Sequence, residues 1–574
     1  MLPNNKAWLE KEGRRKNDAY PHAKERFLLL LLVLFLLLSV LIWRMIDLTI
    51  YDRGFLEKQG NARSLRMVSI PAYRGMITDR NGSPLAVSTQ VEAVWINPHE
   101  VSLNNPFLPE LAQDLDMPLE VLKSKINIKN REFIYLKRGL DPMIAESIRV
   151  LKIPGVHLQK EFKRYYPDGE VTSQLVGFTN IDDQGQEGLE LAYNSWLRGE
   201  PGEKRVLKDL LGHTIADVKH IKEPKPGKNL ALSIDRRIQY AAYRELKKAV
   251  SKLKARSGSV VVLDSKTGEV LAMVNQPSYN PNNRSEISAA RIRNRALTDM
   301  FEPGSVMKAF SVASALDSGQ YTPQTEVDIG RGYMGVGRHS VSDEHTHGII
   351  SVTEILQKSS NVGVTKMTLS LPPEQLPNFL HRTAFGQSTN TGFPGESSGL
   401  LPVRPVWRPF VLATLAFGYG LSVTPAQLAR GYAIFANHGE LLPISLLRTN
   451  KSAPQGQTVM NAKAADAMLL MLESVVNGGT ASLAKVQGYR VAGKTGTSRI
   501  AGKSGYEKNH HIATFAGVAP VSNPRLIVIV MVDDPKLGGL SYYAATAAAP
   551  VFSHIMERSL RILDVPPDEL NAKY

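Results

Sequence analysis

Between Phe27 and Trp43 seventeen residues run with Ser39 as the only polar one, the lower end of what crosses a bilayer as a helix. Before it, residues 1–26 carry seven Lys or Arg against four acidic residues and show no apolar periodicity, which predicts a short polar tail. After it, Trp43-Arg44-Met45-Ile46-Asp47 offers no small-x-small cleavage site, so the pattern predicts an uncleaved anchor over residues 27–48 in place of a signal peptide. Six Lys or Arg in the twenty residues before the run against four in the twenty after favour a cytoplasmic N-terminus, with everything beyond Ile50 outside.

Downstream the period changes. Strand-like residues around Ser69-Ile70 lead to Arg80-Asn81-Gly82, and Leu85 to Ile96 continue in an extended, partly alternating pattern, which predicts a hairpin. Glu223-Pro224-Lys225-Pro226-Gly227-Lys228 reads as a linker. Beyond it come Leu230 to Ile234, a basic amphipathic helix from Arg236 to Arg256, and a hairpin of Ser259–Leu263 and Val270–Val274 about the turn Asp264 to Gly268. Val306, Met307, Phe310, Ala313 and Leu316 recur at helical period after Pro303-Gly304 and before Gly319, placing Ser305 at a helix N-terminus. Ser351 and Glu354 form a capping-box pattern ahead of another helix. Ala513–Val518 and Leu526–Val532 are late strands. Strands at both ends with helices between predict one sheet built from sequence-distant parts and packed on a helical cluster, in a multidomain α+β chain.

Composition narrows the class. A chain of 574 residues should hold two or more domains, and 43% hydrophobic content is ordinary for a globular protein. A net charge of +15 invites an anionic partner, yet there is no zinc-finger spacing, aromatic RNA-binding signature or dense basic block, so nucleic acid is not expected. The absence of cysteine removes disulfides, thiolate metal sites and cysteine catalysis.

Three stretches carry candidate chemistry. Ser305 and Lys308 lie one helical turn apart, so hydroxyl and amine can meet, and a neutral amine can take the proton that makes serine a nucleophile. Alone the pair is better explained as a capping serine beside a surface lysine. An unperturbed lysine is only about 0.04% neutral at pH 7; burial and a second cation nearby would lower its pKa, and Lys494 could be that cation. Ser359 and Asn361 in Ser359-Ser360-Asn361 fit either a proton relay or a helix–helix turn held by local hydrogen bonds. Lys494-Thr495-Gly496, continuing to Thr497, has edge-strand character, with Gly496 permitting close approach of a substrate backbone. Asp343-Glu344-His345-Thr346-His347 could bind zinc, but a polar surface loop before the Ser351 helix explains it as well, and no metal is expected.

Ser-x-x-Lys, Ser-x-Asn and Lys-Thr-Gly in this order and spacing make the chain from Asn229 onward resemble a penicillin-binding transpeptidase domain. Arg74-Gly75-Met76-Ile77-Thr78-Asp79-Arg80-Asn81-Gly82, Arg164 to Gly169 and Gly185 to Glu190 are similar to the non-catalytic module of class B penicillin-binding proteins. The resemblance is strongest to the septal, FtsI-type members, through Asn275-Gln276-Pro277, Phe301-Glu302-Pro303-Gly304, Gln357 to Gly363 and Gly392 to Glu396, with Asn361 where elongation-type relatives usually carry Asp. One departure is Ala544-Ala545 after Tyr542-Tyr543, where Gly-Gly is usual; it leaves room for a specialised paralogue.

The resemblance implies a tail at 1–26, an anchor at 27–48, a β-rich pedestal at 49–223, a linker at 224–228 and a transpeptidase domain with an antiparallel sheet packed against helices at 229–574. It also implies that Ser305 attacks the D-Ala-D-Ala bond of a peptidoglycan stem peptide, with Lys308 as base and Ser359 as relay. Asn361 would contact Lys308 and substrate, while Lys494, Thr495 and Thr497 would hold the terminal carboxylate. The N–H groups of Ser305 and Thr497 would form the oxyanion hole. β-Lactams would acylate the same serine, and neither metal nor organic cofactor is required. Implied partners are a SEDS-type glycan polymerase of the FtsW type and other division proteins, at the inner membrane of the division site. A β-lactamase, a β-lactam sensor and a scaffold without turnover share parts of the pattern; the pedestal and anchor disfavour the first, the short tail the second and the intact trio the third.

Overall fold

The structure, a computed structural model, describes residues 23–208, 214–285, 287–449, 454–502, 505–536 and 542–569. Two compact units emerge, Met1–Ile70 with Pro201–Pro224, and Pro71–Glu200 with Lys225–Tyr574. In the first, the apolar run forms the helix Ala23–Ile46, followed by a π-helical turn at Asp47–Tyr51 and the helix Arg53–Ser64. The helix starts four residues before the predicted anchor and stops two residues short of its end; residues 1–22 of the predicted tail lie outside the described residues. At 1.5 Å per residue its 24 residues span about 36 Å, enough for a hydrocarbon layer of about 30 Å. Its side chains from Phe27 to Ile42 are almost all exposed, as a helix solvated by lipid requires. The same unit holds a three-stranded antiparallel sheet in which Gly202–Lys208 lies between Leu65–Ile70 and Thr214–Lys222.

In the second unit, Pro84–Ile96 is the hub of the N-terminal part, pairing antiparallel with Ile77–Thr78, Ile134–Leu140 and Val156–Tyr165. The predicted hairpin is present, and its turn needs Gly82 at φ +87°. A small core of Val94, Ile96, Leu108, Leu111, Leu122 and Leu136 closes over this sheet. Buried Arg74 and Arg164 both pair with Glu190, at 2.7 and 2.6 Å. Ile77–Thr78 also pairs in parallel with Leu230–Ala231, and the Asp79 carboxylate accepts from the N–H groups of Asn81, Ser83 and Arg236. The Arg74–Gly82 stretch therefore joins the start of the C-terminal part to the hairpin.

The C-terminal part is built from α1 (Arg236–Lys252), β1 (Ser257–Asp264), β2 (Val270–Gln276), α2 (Lys308–Asp317), α3 (Asn361–Ser370), α4 (Pro425–Ala436), α5 (Ala462–Gly478), β3 (Ala492–Gly502), β4 (Gly505–Ala519), β5 (Leu526–Asp533) and α6 (Ala549–Ile562). The strands form one antiparallel sheet in the order β2-β1-β5-β4-β3, so the two ends of this part interleave at β1 and β5. Every residue of β1 and β5 is buried. Such continuous burial means that both faces are covered: α1 and α6 pack on the sheet and on each other, and α4 packs on β1 and β5. α2 is buried along nearly its whole length, which is why its sequence is apolar almost all round. β3 is left at the edge, with β4 its sole partner in the sheet.

Candidate active site

Ser305 sits in a 3₁₀ turn, Gly304–Met307, that runs directly into α2. The turn is held from two sides. Gly304, at φ +58°, donates its N–H to the carbonyl of Gly418 at 3.1 Å, and a Cβ on Gly496 of β3 would lie 2.7 Å from the carbonyl oxygen of Pro303. Turn and edge strand therefore meet backbone to backbone, a contact that only glycine at 496 allows.

A second element enters from the loop before α3. The helix Val352–Gln357 begins with the predicted capping box, Ser351 and Glu354 each accepting from the other's backbone. It ends at Lys358, and Ser359 then adopts φ +56°, an uncommon conformation for a side chain with a Cβ. Ser360 caps α3 by accepting from Gly363 N–H at 2.8 Å. The Asp343 carboxylate completes the cap, accepting from Ser360 Oγ at 2.6 Å and from the N–H groups of Asn361 and Val362. Three hydrogen bonds fix the carboxylate at the N-terminus of α3.

The two lysines meet at Ser359. Lys308 Nζ, buried, is hydrogen-bonded to Ser359 Oγ at 3.1 Å and to the Ser359 carbonyl; Lys494 Nζ, fully buried, reaches the same Oγ at 3.1 Å and the Thr495 carbonyl at 3.2 Å. Burial pushes Lys308 down to about 7, against the pull of Asp343 and Glu344 toward the charged form. Burial and then the charge of Lys308 push Lys494 well below the usual lysine range. One hydroxyl thus lies between two amines that cannot both hold a proton cheaply, and the carboxylates draw the remaining proton toward Lys308.

Ser305, Lys308, Ser359, Asn361, Thr495 and Thr497 line a single cleft of about 450 Å³. Lys494 lies behind its wall, bonded to Ser359, and Gly496 faces the Ser305 turn. Two details differ from the sequence expectation. Among the described residues no hydrogen bond joins Ser305 to Lys308, because the amine turns to Ser359. The Asn361 amide group donates to the Ser342 carbonyl at 2.9 Å, and among the described residues no hydrogen bond joins it to Lys308. Thr497 Oγ1 accepts from Ala544 N–H at 3.0 Å, so its own proton is free to point elsewhere.

Sequence reasoning missed several lining residues. Thr480, whose hydroxyl lies 3.1 Å from that of Thr495, follows Gly478-Gly479 in a loop with no motif of its own. Phe417, Tyr419 and Tyr543 supply aromatic surface. The Asp343–His347 stretch, expected as a surface loop, lines the cleft with Asp343, Glu344, His345 and His347. His510, which has no evident partner in sequence, lies 2.9 Å from Asp534 through its Nδ1.

The family model for the penicillin binding protein transpeptidase domain matches residues 258–557, and that for the penicillin-binding protein dimerisation domain matches residues 69–232. The chain belongs to the class B penicillin-binding proteins. Among relatives, this class B protein is 44% identical to the probable peptidoglycan D,D-transpeptidase PbpC of Pseudomonas aeruginosa, covering 94% of this chain and 96% of that one. It is 43% identical to the peptidoglycan D,D-transpeptidase FtsI of Escherichia coli, covering 95% and 93%. Its structure is similar to that of penicillin binding protein 3 from Mycobacterium tuberculosis complexed with aztreonam, at 27% identity and a TM-score of 0.68, covering 87% of this chain and 98% of that one.

Proposed function

We propose that this class B penicillin-binding protein is a peptidoglycan D,D-transpeptidase that cross-links stem peptides at the division septum through an acyl-enzyme on Ser305. The observation that carries the reading is the Ser359 hydroxyl held between the buried amines of Lys308 and Lys494, beside Ser305 in one cleft. A donor's terminal carboxylate meeting the hydroxyls of Thr495 and Thr497, with the Lys494 amine behind them, draws the shared proton toward Lys494 through Ser359. Lys308 is then neutral and takes the proton of Ser305 as Oγ attacks the penultimate D-Ala carbonyl. The N–H groups of Ser305 and Thr497 receive the oxyanion, each such donor stabilising the transition state by about 3–4 kcal/mol. Ser359 returns the proton to the departing D-Ala, and Asn361 orients the peptide. Residues 1–26, 27–48, 49–223, 224–228 and 229–574 then serve as cytoplasmic tail, inner-membrane anchor, pedestal, linker and periplasmic transpeptidase domain. A SEDS-type, FtsW-like polymerase and other division proteins would be the partners, and β-lactams the inhibitors.

The test is intact-protein mass after exposure to benzylpenicillin, followed over hours. The wild type is expected to gain a persistent adduct and Ser305→Ala none. A transient adduct with consumption of the drug would point to a β-lactamase, and a wild type that is never labelled would overturn the acyl-enzyme reading. A second reading, a paralogous class B transpeptidase outside the main septal machine, is favoured by Ala544-Ala545, which line the cleft where Gly-Gly is usual. Rescue of a strain depleted of its septal enzyme separates the two.

A further inference from the structure

We infer that Glu344 binds the amine of the acceptor peptide and holds it for attack on the acyl-enzyme; this rests on the transpeptidase reading above. Two carboxylates line the cleft, Asp343 and Glu344, and they are not equivalent. Asp343 is committed to the α3 cap through both oxygens. Its backbone is fixed as well, its N–H donating to the Gly332 carbonyl at 2.9 Å at the end of the hairpin Tyr333–Val336/His339–Ser342. Glu344 is therefore carried on an anchored neighbour. Its side chain is exposed, and among the described residues no hydrogen bond or ion pair engages its carboxylate. The charge acts on both Lys308 and Tyr543, so it stands within electrostatic reach of the reacting end of the cleft.

The cleft thus offers opposite chemistry on its two sides. The β3 side presents the hydroxyls of Thr495 and Thr497, with the buried Lys494 amine behind them, suited to a carboxylate. The loop side presents a free carboxylate, suited to an ammonium group. Of the lysines that line the cleft with Glu344, Lys308 is turned to Ser359 and Lys358 lies 3.5 Å from Glu354. A side-chain ammonium of an incoming stem peptide would pair with Glu344 and shed one proton to water. The neutral nitrogen then attacks the Ser305 ester, the C–N bond forms, the C–Oγ bond breaks, and the second proton lost by nitrogen returns to Ser305 Oγ through Lys308.

The full chain in detergent is supplied with a D-alanyl thioester donor and either glycinamide, largely cationic near neutrality, or hydroxylamine, largely uncharged there. In Glu344→Gln the KM for glycinamide is expected to rise about fivefold, the size of one solvent-exposed charge pair. The KM for hydroxylamine should stay within about twofold, any change in the Lys308-dependent rates being common to both nucleophiles, and Glu344→Asp should recover much of the loss. An unchanged KM for glycinamide in Glu344→Gln would overturn the assignment. Equal rises in KM for glycinamide and hydroxylamine would also overturn it, in favour of a structural role. Failure of the wild type to acylate at all would instead sink the transpeptidase reading and this inference with it.

Discussion

In the proposed mechanism Lys308 must start without its proton, and its surroundings decide when that happens. Burial lowers its pKa to about 7, so the neutral fraction grows through neutrality, where an unperturbed lysine would stay charged until about pH 10.4. The rate of acylation by benzylpenicillin is expected to fall about tenfold per unit below pH 7 and to level off above it. The apparent pKa belongs to Lys308 and Lys494 together, since they share one hydroxyl. An acid limb lying above pH 9 would show that the amine is solvated and that the buried geometry is wrong. Ser305 and Lys308 were legible in the sequence because one helical turn brings i and i+3 together whatever the rest of the chain does. Asp343, Glu344 and Thr480 were not, because their place in the cleft depends on contacts with residues far away in the chain.

The contact between the Ser305 turn and β3 is an element-scale device. A methyl group at position 496 would press on Pro303 and on Val306, with Cβ 2.7 Å from the carbonyl oxygen of Pro303 and 3.0 Å from Val306 N. Gly496→Ala is expected to cost about 1–3 kcal/mol by overpacking and to slow acylation more than the stability loss explains, because the displaced parts are the two walls of the cleft. Thermal melting and acylation rate, read on the same preparation, check both. The hairpin about Asp264–Gly268, the basic helix α1 and the capping box at Ser351 were legible because each is a local pattern. The full burial of β1 and β5 was not written in their length; it follows from two strands more than 260 residues apart pairing at the centre of a sheet covered on both faces.

At the scale of the whole molecule, Pro71–Glu200 packs with the C-terminal part as one unit, and its stability rests partly on charges without water. Glu190 is fully buried and answers both Arg74 and Arg164. Glu190→Gln leaves two buried guanidinium groups short of their counter-charge, and the expected loss is about 3–5 kcal/mol. Acylation of the fraction that remains folded should match the wild type, since Glu190 lies outside the cleft; chemical denaturation with a parallel labelling assay reads both quantities. β3 carries a different consequence. A strand left at the edge of a sheet is open to the strand of another copy, which makes the edge a risk to solubility. The exposed charge of Arg499 and the Ala544–Ala547 helix, tied to Thr497 by the Ala544 N–H, break up that edge. Thr497 and Ala544 also line the cleft, so changes made here to admit a bulkier inhibitor also bear on whether the protein stays monodisperse.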